Sequence, residues 1–134
     1  MSQENVEVVR EIYEHMNRRN WAAVLAALDE EIVLVVHESV GPDAGVFRGR
    51  AAVGHWFGEW CLAFDKDHRF ELEDARTVGD RVFVVAQHHG HGRSSGADVK
   101  QVNAQLHSLH EGKVVQMELY GSPAEALQAV GLAE

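Results

Sequence analysis

The chain has 134 residues, 46% of them hydrophobic, with 21 acidic against 12 basic side chains and a net charge of −9. That length makes one domain, residues 1–134, with enough chain to bury a core; the acidic excess opposes nucleic acid, which is bound by Lys and Arg neutralising phosphates, and opposes anionic membranes too. No apolar run reaches the ~20 residues of a membrane span, the polar start shows no signal peptide, and the one cysteine, Cys61, allows no internal disulfide and suits a reducing cytoplasm.

A first helix is predicted from Ser2, its possible cap, with Val6, Val9, Tyr13 and Met16 along one stripe. Asn20 caps a second, carrying Trp21, Val24, Leu25 and Leu28. The β-branched run Ile32 to Val36 predicts a buried strand, and Gly41 to Gly49, holding Pro42 and Asp43, a loop or short hairpin. A third helix from about Arg50 places Val53, Trp56, Phe57, Trp60 and Phe64 on one face. Strands follow at 68–78, 81–92, 98–110 and 113–121, joined by Gly79-Asp80, by Arg93 to Gly96, and by Glu111-Gly112. A last helix opens on a capping box of Ser122 and Glu125 with Pro123 at its first position, and Gly131 stands where its C-cap belongs.

Strand alternation sorts the side chains. On 81–92, Phe83, Val85, Gln87, His89 and His91 oppose Val82, Val84, Ala86 and His88. On 98–110, Gln101, Asn103, Gln105, His107 and Leu109 oppose Val102, Ala104, Leu106 and Ser108. On the last strand, Val115, Met117 and Leu119 oppose Gln116, Glu118 and Tyr120. The polar set Gln87, His89, Asn103, Gln105 and His107 has two readings. Either that face is solvated and the apolar face is core, or it lines a pocket and the apolar face meets a second copy.

The element order, together with Asn20-Trp21, Phe47-Arg48-Gly49-Arg50, and Glu111-Gly112-Lys113-Val114-Val115 through Gly131-Leu132, resembles the nuclear transport factor 2-like superfamily. Within it, the SnoaL-like and ketosteroid-isomerase-like branch is the most similar. The resemblance covers the whole chain. It implies an α+β fold, a strongly curved antiparallel sheet covered by N-terminal helices to make a cone-shaped barrel with an internal pocket. It also implies a homodimer packed through the outer sheet faces. Extended to the strands, it turns Phe83 to His89, Asn103 to His107 and Val115 to Leu119 inward. Glu38-Ser39-Val40-Gly41 takes the place of the Asp-Pro-Val-Gly segment that carries the general base of ketosteroid isomerases. Tyr13 lies near their tyrosine oxyanion donor, and Gln105 falls on their second donor, a protonated aspartate. SnoaL-like cyclases carry a catalytic aspartate on this sheet, whereas 99–109 here holds none.

The candidate catalytic residues are therefore Glu38, His89, Gln105 and Tyr13. Met16, Trp56, Trp60, Phe83, Val85, Gln87, Asn103, His107, Met117 and Leu119 are expected to line the pocket. A histidine titrates near neutrality and suits acid–base work, and Glu38 becomes a base if an apolar wall raises its pKa. His37 alternates with Glu38, so one of the two points inward. The nine histidines invite a metal, but a metal site needs three or four converging ligands, and of His88-His89-Gly90-His91 only His89 and His91 share a face. No metal and no cofactor are expected, and no phosphate loop or nucleotide fingerprint is present. Cys61 reads as an inert buried thiol.

The expected function is a pocket for a mainly apolar small molecule with carbonyl or hydroxyl groups, extending to isomerase, cyclase or hydrolase chemistry by proton transfer. The alternative is a non-catalytic ligand-binding or protein–protein module. An ionisable group deep in the cavity with a shifted pKa favours the enzyme. Gln105→Leu is predicted to leave stability unchanged or slightly raised, and Leu106→Gln to damage the dimer.

Overall fold

The stripe Val6, Val9, Ile12, Tyr13 and Met16, all buried, recurs at helical spacing and turns Ser2–Asn17 into an amphipathic helix, α1. The computed structural model describes residues 2–41 (side chains from residue 3), 44–64 and 67–131. The expectations for the Ser2 side chain, Pro42, Asp43 and Leu132 lie outside these. Asn20 caps α2, Trp21–Ala26, by accepting from Ala23 N. The helix is shorter than its apolar spacing suggested, because Leu28 already opens β1, Leu28–Val36. A 3-10 turn, Glu38–Val40, and β2, Gly45–Arg48, lead to α3, Arg50–Cys61. Phe64 falls beyond the end of α3 and bridges to Gly92 instead.

The meander follows as predicted: β3 Arg69–Val78, β4 Arg81–His91, β5 Asp98–His110 and β6 Lys113–Tyr120. The tight turn into β6 has φ of 51° at Glu111 and 79° at Gly112; positive φ at both central residues is what a right-twisted hairpin requires. The last helix, α4, is Pro123–Ala129, capped by Ser122 with Pro123 at its start. The six strands form one sheet in the order β2-β1-β6-β5-β4-β3. All pairs are antiparallel except β1 with β6. Bulges between Leu72 and Asp74 and between Ser108 and Leu109 help bend it. The fold is α+β with a curved open sheet, and the helices of the first half pack on its concave side.

Cross-strand partners share a face, and this corrects one strand. Val82 pairs with His107, Val84 with Gln105, and Ala86 with Asn103. Val82, Val84, Ala86 and His88 therefore turn inward, and Phe83, Val85, Gln87 and His89 turn outward. The expected register of β4 is off by one residue, which exchanges every side chain between faces. At the β6 bulge Val114 pairs with Leu109 and joins the inner core, fully buried, while Val115 is left unpaired.

The outer face is not left in water. Ala126 and Leu127 of α4 pack with Phe83, Val85, Ala104, Leu106 and Tyr120 into a second core. The apolar set expected to join two copies, Val82, Val84, Ala86, Val102, Ala104 and Leu106, is thus divided: Val82, Val84 and Ala86 belong inside, Ala104 and Leu106 are covered by the chain's own last helix, and Val102 alone of the six is exposed.

Candidate functional site

Where α1, α3 and the concave face of β5 and β6 approach, they leave a cavity of about 260 Å³. Ile12, Met16, Val24, Leu28, Trp56, Phe57, Trp60, Phe70, Met117 and Leu119 supply its apolar walls, and Ser39, Val40 and Gly121 reach it from the segments beyond β1 and β6. Among the polar side chains that line it are Tyr13, Gln101, Asn103, Gln105 and His107. The volume sits just below the usual range for drug-sized ligand sites, roughly 300–1,000 Å³, so the occupant it fits is small.

β5 makes the polar stripe. Asn103, Gln105 and His107 stand two residues apart on one face, so neighbouring side chains touch along the strand. His107 Nε2 lies 2.9 Å from Gln105 Oε1, and Gln105 Nε2 lies 3.5 Å from Asn103 Oδ1. An amide oxygen can only accept, so His107 donates through Nε2–H, and its Nδ1 carries the lone pair. That Nδ1 is buried and has no hydrogen-bond partner among the described residues. Burial drives the His107 pKa down to about 4, so the ring is neutral at physiological pH.

Tyr13 comes from α1 and meets the stripe from the opposite wall. Its ring is held edge-on by Phe70 at 5.7 Å between centroids. Burial raises its phenol pKa well above the ordinary value, with the Gln105 side chain acting weakly in the other direction. The hydroxyl lies near that amide yet makes no well-formed hydrogen bond, and it is buried. Buried polar groups are nearly always paired. An O–H facing a cavity beside an amide N–H, with neither fully used, is a pair of donors suited to one acceptor oxygen.

The structure brings Tyr13, Met16, Trp56, Trp60, Asn103, Gln105, His107, Met117 and Leu119 around this cavity. It does not bring Glu38, His89, Phe83, Val85 or Gln87. Glu38 is exposed in its 3-10 turn, while its neighbours Ser39 and Val40 reach the cavity. His37 also stays out, stacked on Tyr120 at 4.2 Å. On the outer face, His89 Nε2 meets Glu71 at 3.2 Å and Gln87 donates to Glu73 at 2.6 Å. Phe83 and Val85 lie in the outer core.

The expected neutrality of Gln105→Leu also changes. Gln105 accepts from a buried histidine, so its loss strands a donor. Phe70, Phe57, Ile12 and Gln101 were not anticipated at the site. Inward-facing His88 was also missed; its ring packs at a tilt of 48° against Trp60, one of the cavity walls, with centroids 4.6 Å apart. Gln101 was legible from β5 alternation alone. Among the described residues, no three or more His, Cys, Asp or Glu are grouped to hold a metal ion. His91 instead meets Asp67 at 3.2 Å and Asp98 at 2.9 Å.

Comparison with known proteins gives the family and the fold. The SnoaL-like domain model matches residues 9–117. No curated protein matches the chain significantly. Among solved structures, an NTF2-like protein of unknown function from Burkholderia pseudomallei is 23% identical, with 97% of this chain and 98% of that one covered and a TM-score of 0.76. TerC co-crystallized with polyporic acid is 17% identical over 96% of this chain and 98% of that one, TM-score 0.76. A hypothetical protein of ketosteroid isomerase-like fold from Catenulispora acidiphila, in complex with trimethylamine, is 18% identical over 94% and 93%, TM-score 0.73. At such identities the likeness carries the fold alone.

Proposed function

We propose, for a chain that belongs to the SnoaL-like domain family, that the cavity binds a small, uncharged, mainly apolar molecule through a carbonyl or hydroxyl oxygen. The observation that carries this reading is the buried Tyr13 hydroxyl, without a hydrogen-bond partner among the described residues, beside Gln105 in a space walled mainly by apolar side chains. Charge is disfavoured there: no Asp, Glu, Lys or Arg lines the cavity among the described residues, and an unpaired ion in such surroundings is costly. The structures holding polyporic acid and trimethylamine support a small-molecule role for the fold.

A test compares 1-indanone with indane by quenching of tryptophan fluorescence, since Trp56 and Trp60 line the cavity. Wild type prefers the ketone, and Tyr13→Phe or Gln105→Asn reduces that preference by about 1–3 kcal/mol if the hydrogen bonds form in a dry pocket. Equal affinity for ketone and hydrocarbon in wild type refutes the proposal.

One observation favours a catalytic version. The His107 Nδ1 lone pair has no partner among the described residues and the ring is neutral at physiological pH, so His107, rather than Glu38 or His89, is the cavity side chain that can accept a proton, as a weak base. Tyr13 and Gln105 would then stabilise the developing oxyanion of an isomerase, cyclase or hydrolase reaction. Solvent deuterium exchange alpha to the bound ketone carbonyl, lost in His107→Leu, separates this from simple binding.

The proposal extends to a reducing compartment, supported by the free Cys61, and to a homodimer through the outer face of β1 and β2. There Val33 and Val35 are half-buried and Val46 is 54% exposed. A monomer by light scattering contradicts that assembly.

A further inference from the structure

A second cavity of about 700 Å³ lies between α2, α3 and the segment around His68, and the ligand reading above does not use it. It shares Val24, Leu28 and Phe57 as a common wall with the first cavity. Its chemistry is different. Trp21, Leu25, Leu62 and Phe64 make it apolar, but Arg19, Arg50 and Arg93 also line it, and no Asp or Glu does among the described residues. Three guanidinium groups on one cavity of a chain with net charge −9 are a local reversal of sign.

The cations are positioned rather than loose. Arg19 has a φ of 61°, a left-handed conformation that a residue other than glycine adopts at some cost. Its guanidinium donates to Met16 O and to His68 O. Arg93 donates to Phe64 O at 3.3 Å. Both charges act on His68 and help to lower its pKa, behind burial, while Asp67 opposes them. Arg50 is shared with Glu30 at 3.4 Å.

His68 completes the set. Its Nδ1 is 3.1 Å from His88 Nε2, and His88 Nδ1 is buried without a partner among the described residues. If His68 donated, His88 would bury an unpaired N–H; if His88 donates, only a lone pair is left over, and orphaned N–H groups are the rarer of the two. His88 therefore donates, and His68 keeps its own proton on Nε2, as a donor on the cavity side.

We propose that the second cavity binds an organic anion with an apolar tail, its carboxylate held by Arg93 and the Nε2–H of His68 in the positive field of Arg19 and Arg50, and its tail along Trp21, Leu25 and Phe57. Cys61, the one cysteine of the chain, lines this cavity and is half-buried rather than sealed in the core as expected; burial raises its thiol pKa, so its alkylation by iodoacetamide at alkaline pH reports occupancy. Decanoate is expected to slow alkylation several-fold, and decanol at the same concentration to leave it nearly unchanged. In Arg93→Gln, at an exposed position, the decanoate concentration for half-protection rises about 10–100-fold, the worth of a charge-assisted hydrogen bond. 1-Indanone, the probe of the first cavity, leaves the decanoate midpoint of wild type unchanged. The proposal is overturned by equal protection from decanol, by no protection from decanoate, or by an unchanged midpoint in Arg93→Gln. Competition between 1-indanone and decanoate overturns it as well, by placing decanoate in the first cavity.

Discussion

Replacing Gln105 with Leu tests the polar stripe more sharply than any other single change. The substitution keeps the volume of the side chain, so packing is nearly conserved. It removes the acceptor 2.9 Å from His107 Nε2, on a ring that is 1% exposed and whose other nitrogen is already unpartnered. A buried donor left without its acceptor costs about 1–3 kcal/mol. Removing both polar groups together has no such penalty, so the double variant Gln105→Leu with His107→Leu should cost less than the sum of the singles by at least about 1 kcal/mol. Urea unfolding at pH 7, followed by circular dichroism, gives each midpoint at unchanged slope. Additivity of the two substitutions to within about 0.5 kcal/mol would refute the pairing. So would a Gln105→Leu protein as stable as wild type, which is the outcome expected when this position is treated as an isolated polar group.

Acidification supplies a second prediction. The folded pKa of His107 is held near 4 by burial, below the unfolded value of about 6.5. The unfolded state therefore takes up the proton first, and stability is lost as pH falls from about 6.5 to about 4, by about 3 kcal/mol at most, with no further loss from this group below that. The same direction holds for His88. Chemical denaturation across this pH range checks it, and His107→Leu should flatten part of the slope. Gly90→Ala should destabilise by about 1–3 kcal/mol, because a Cβ there would stand 2.7 Å from His68 Cβ and 3.2 Å from its Cα; thermal unfolding measures this. Leu127→Ala, opening the outer core between α4 and the sheet, should cost about 2–4 kcal/mol and raise binding of a hydrophobic dye.

How far the sequence reveals this molecule depends on how many faces of each strand are buried. The turns and caps were local, and Ser122, Pro123, Glu111-Gly112 and Asn20 act where their chemistry predicts. β5 alternates between amide or imidazole and aliphatic groups from Asn103 to His107, so its two faces are distinguishable, and the resemblance chose the polar one as inward. β4 offers no such contrast. Val82 to Ala86 are all buried, on one side in the core beneath α1 and on the other with α4, so periodicity carries no information and the register follows only from pairing with β5. The covering of the outer face by a seven-residue helix is likewise a tertiary fact. Leu127 and Ala126 look like an ordinary amphipathic stripe with no stated partner. Glu38 was singled out through a motif likeness, but the backbone turns away at His37, and the carboxylate goes to solvent.

Two donors, Tyr13 and Gln105, meet one ligand oxygen, and the carbonyl carbon of a bound ketone reports that directly. With 1-indanone labelled with carbon-13 at the carbonyl, the bound resonance in wild type should lie downfield of its position in an apolar solvent, because hydrogen bonding to Tyr13 and Gln105 polarises the bond. Tyr13→Phe should return it part of the way and still bind the ketone. A bound resonance at the apolar-solvent position, unchanged by Tyr13→Phe, would contradict the account.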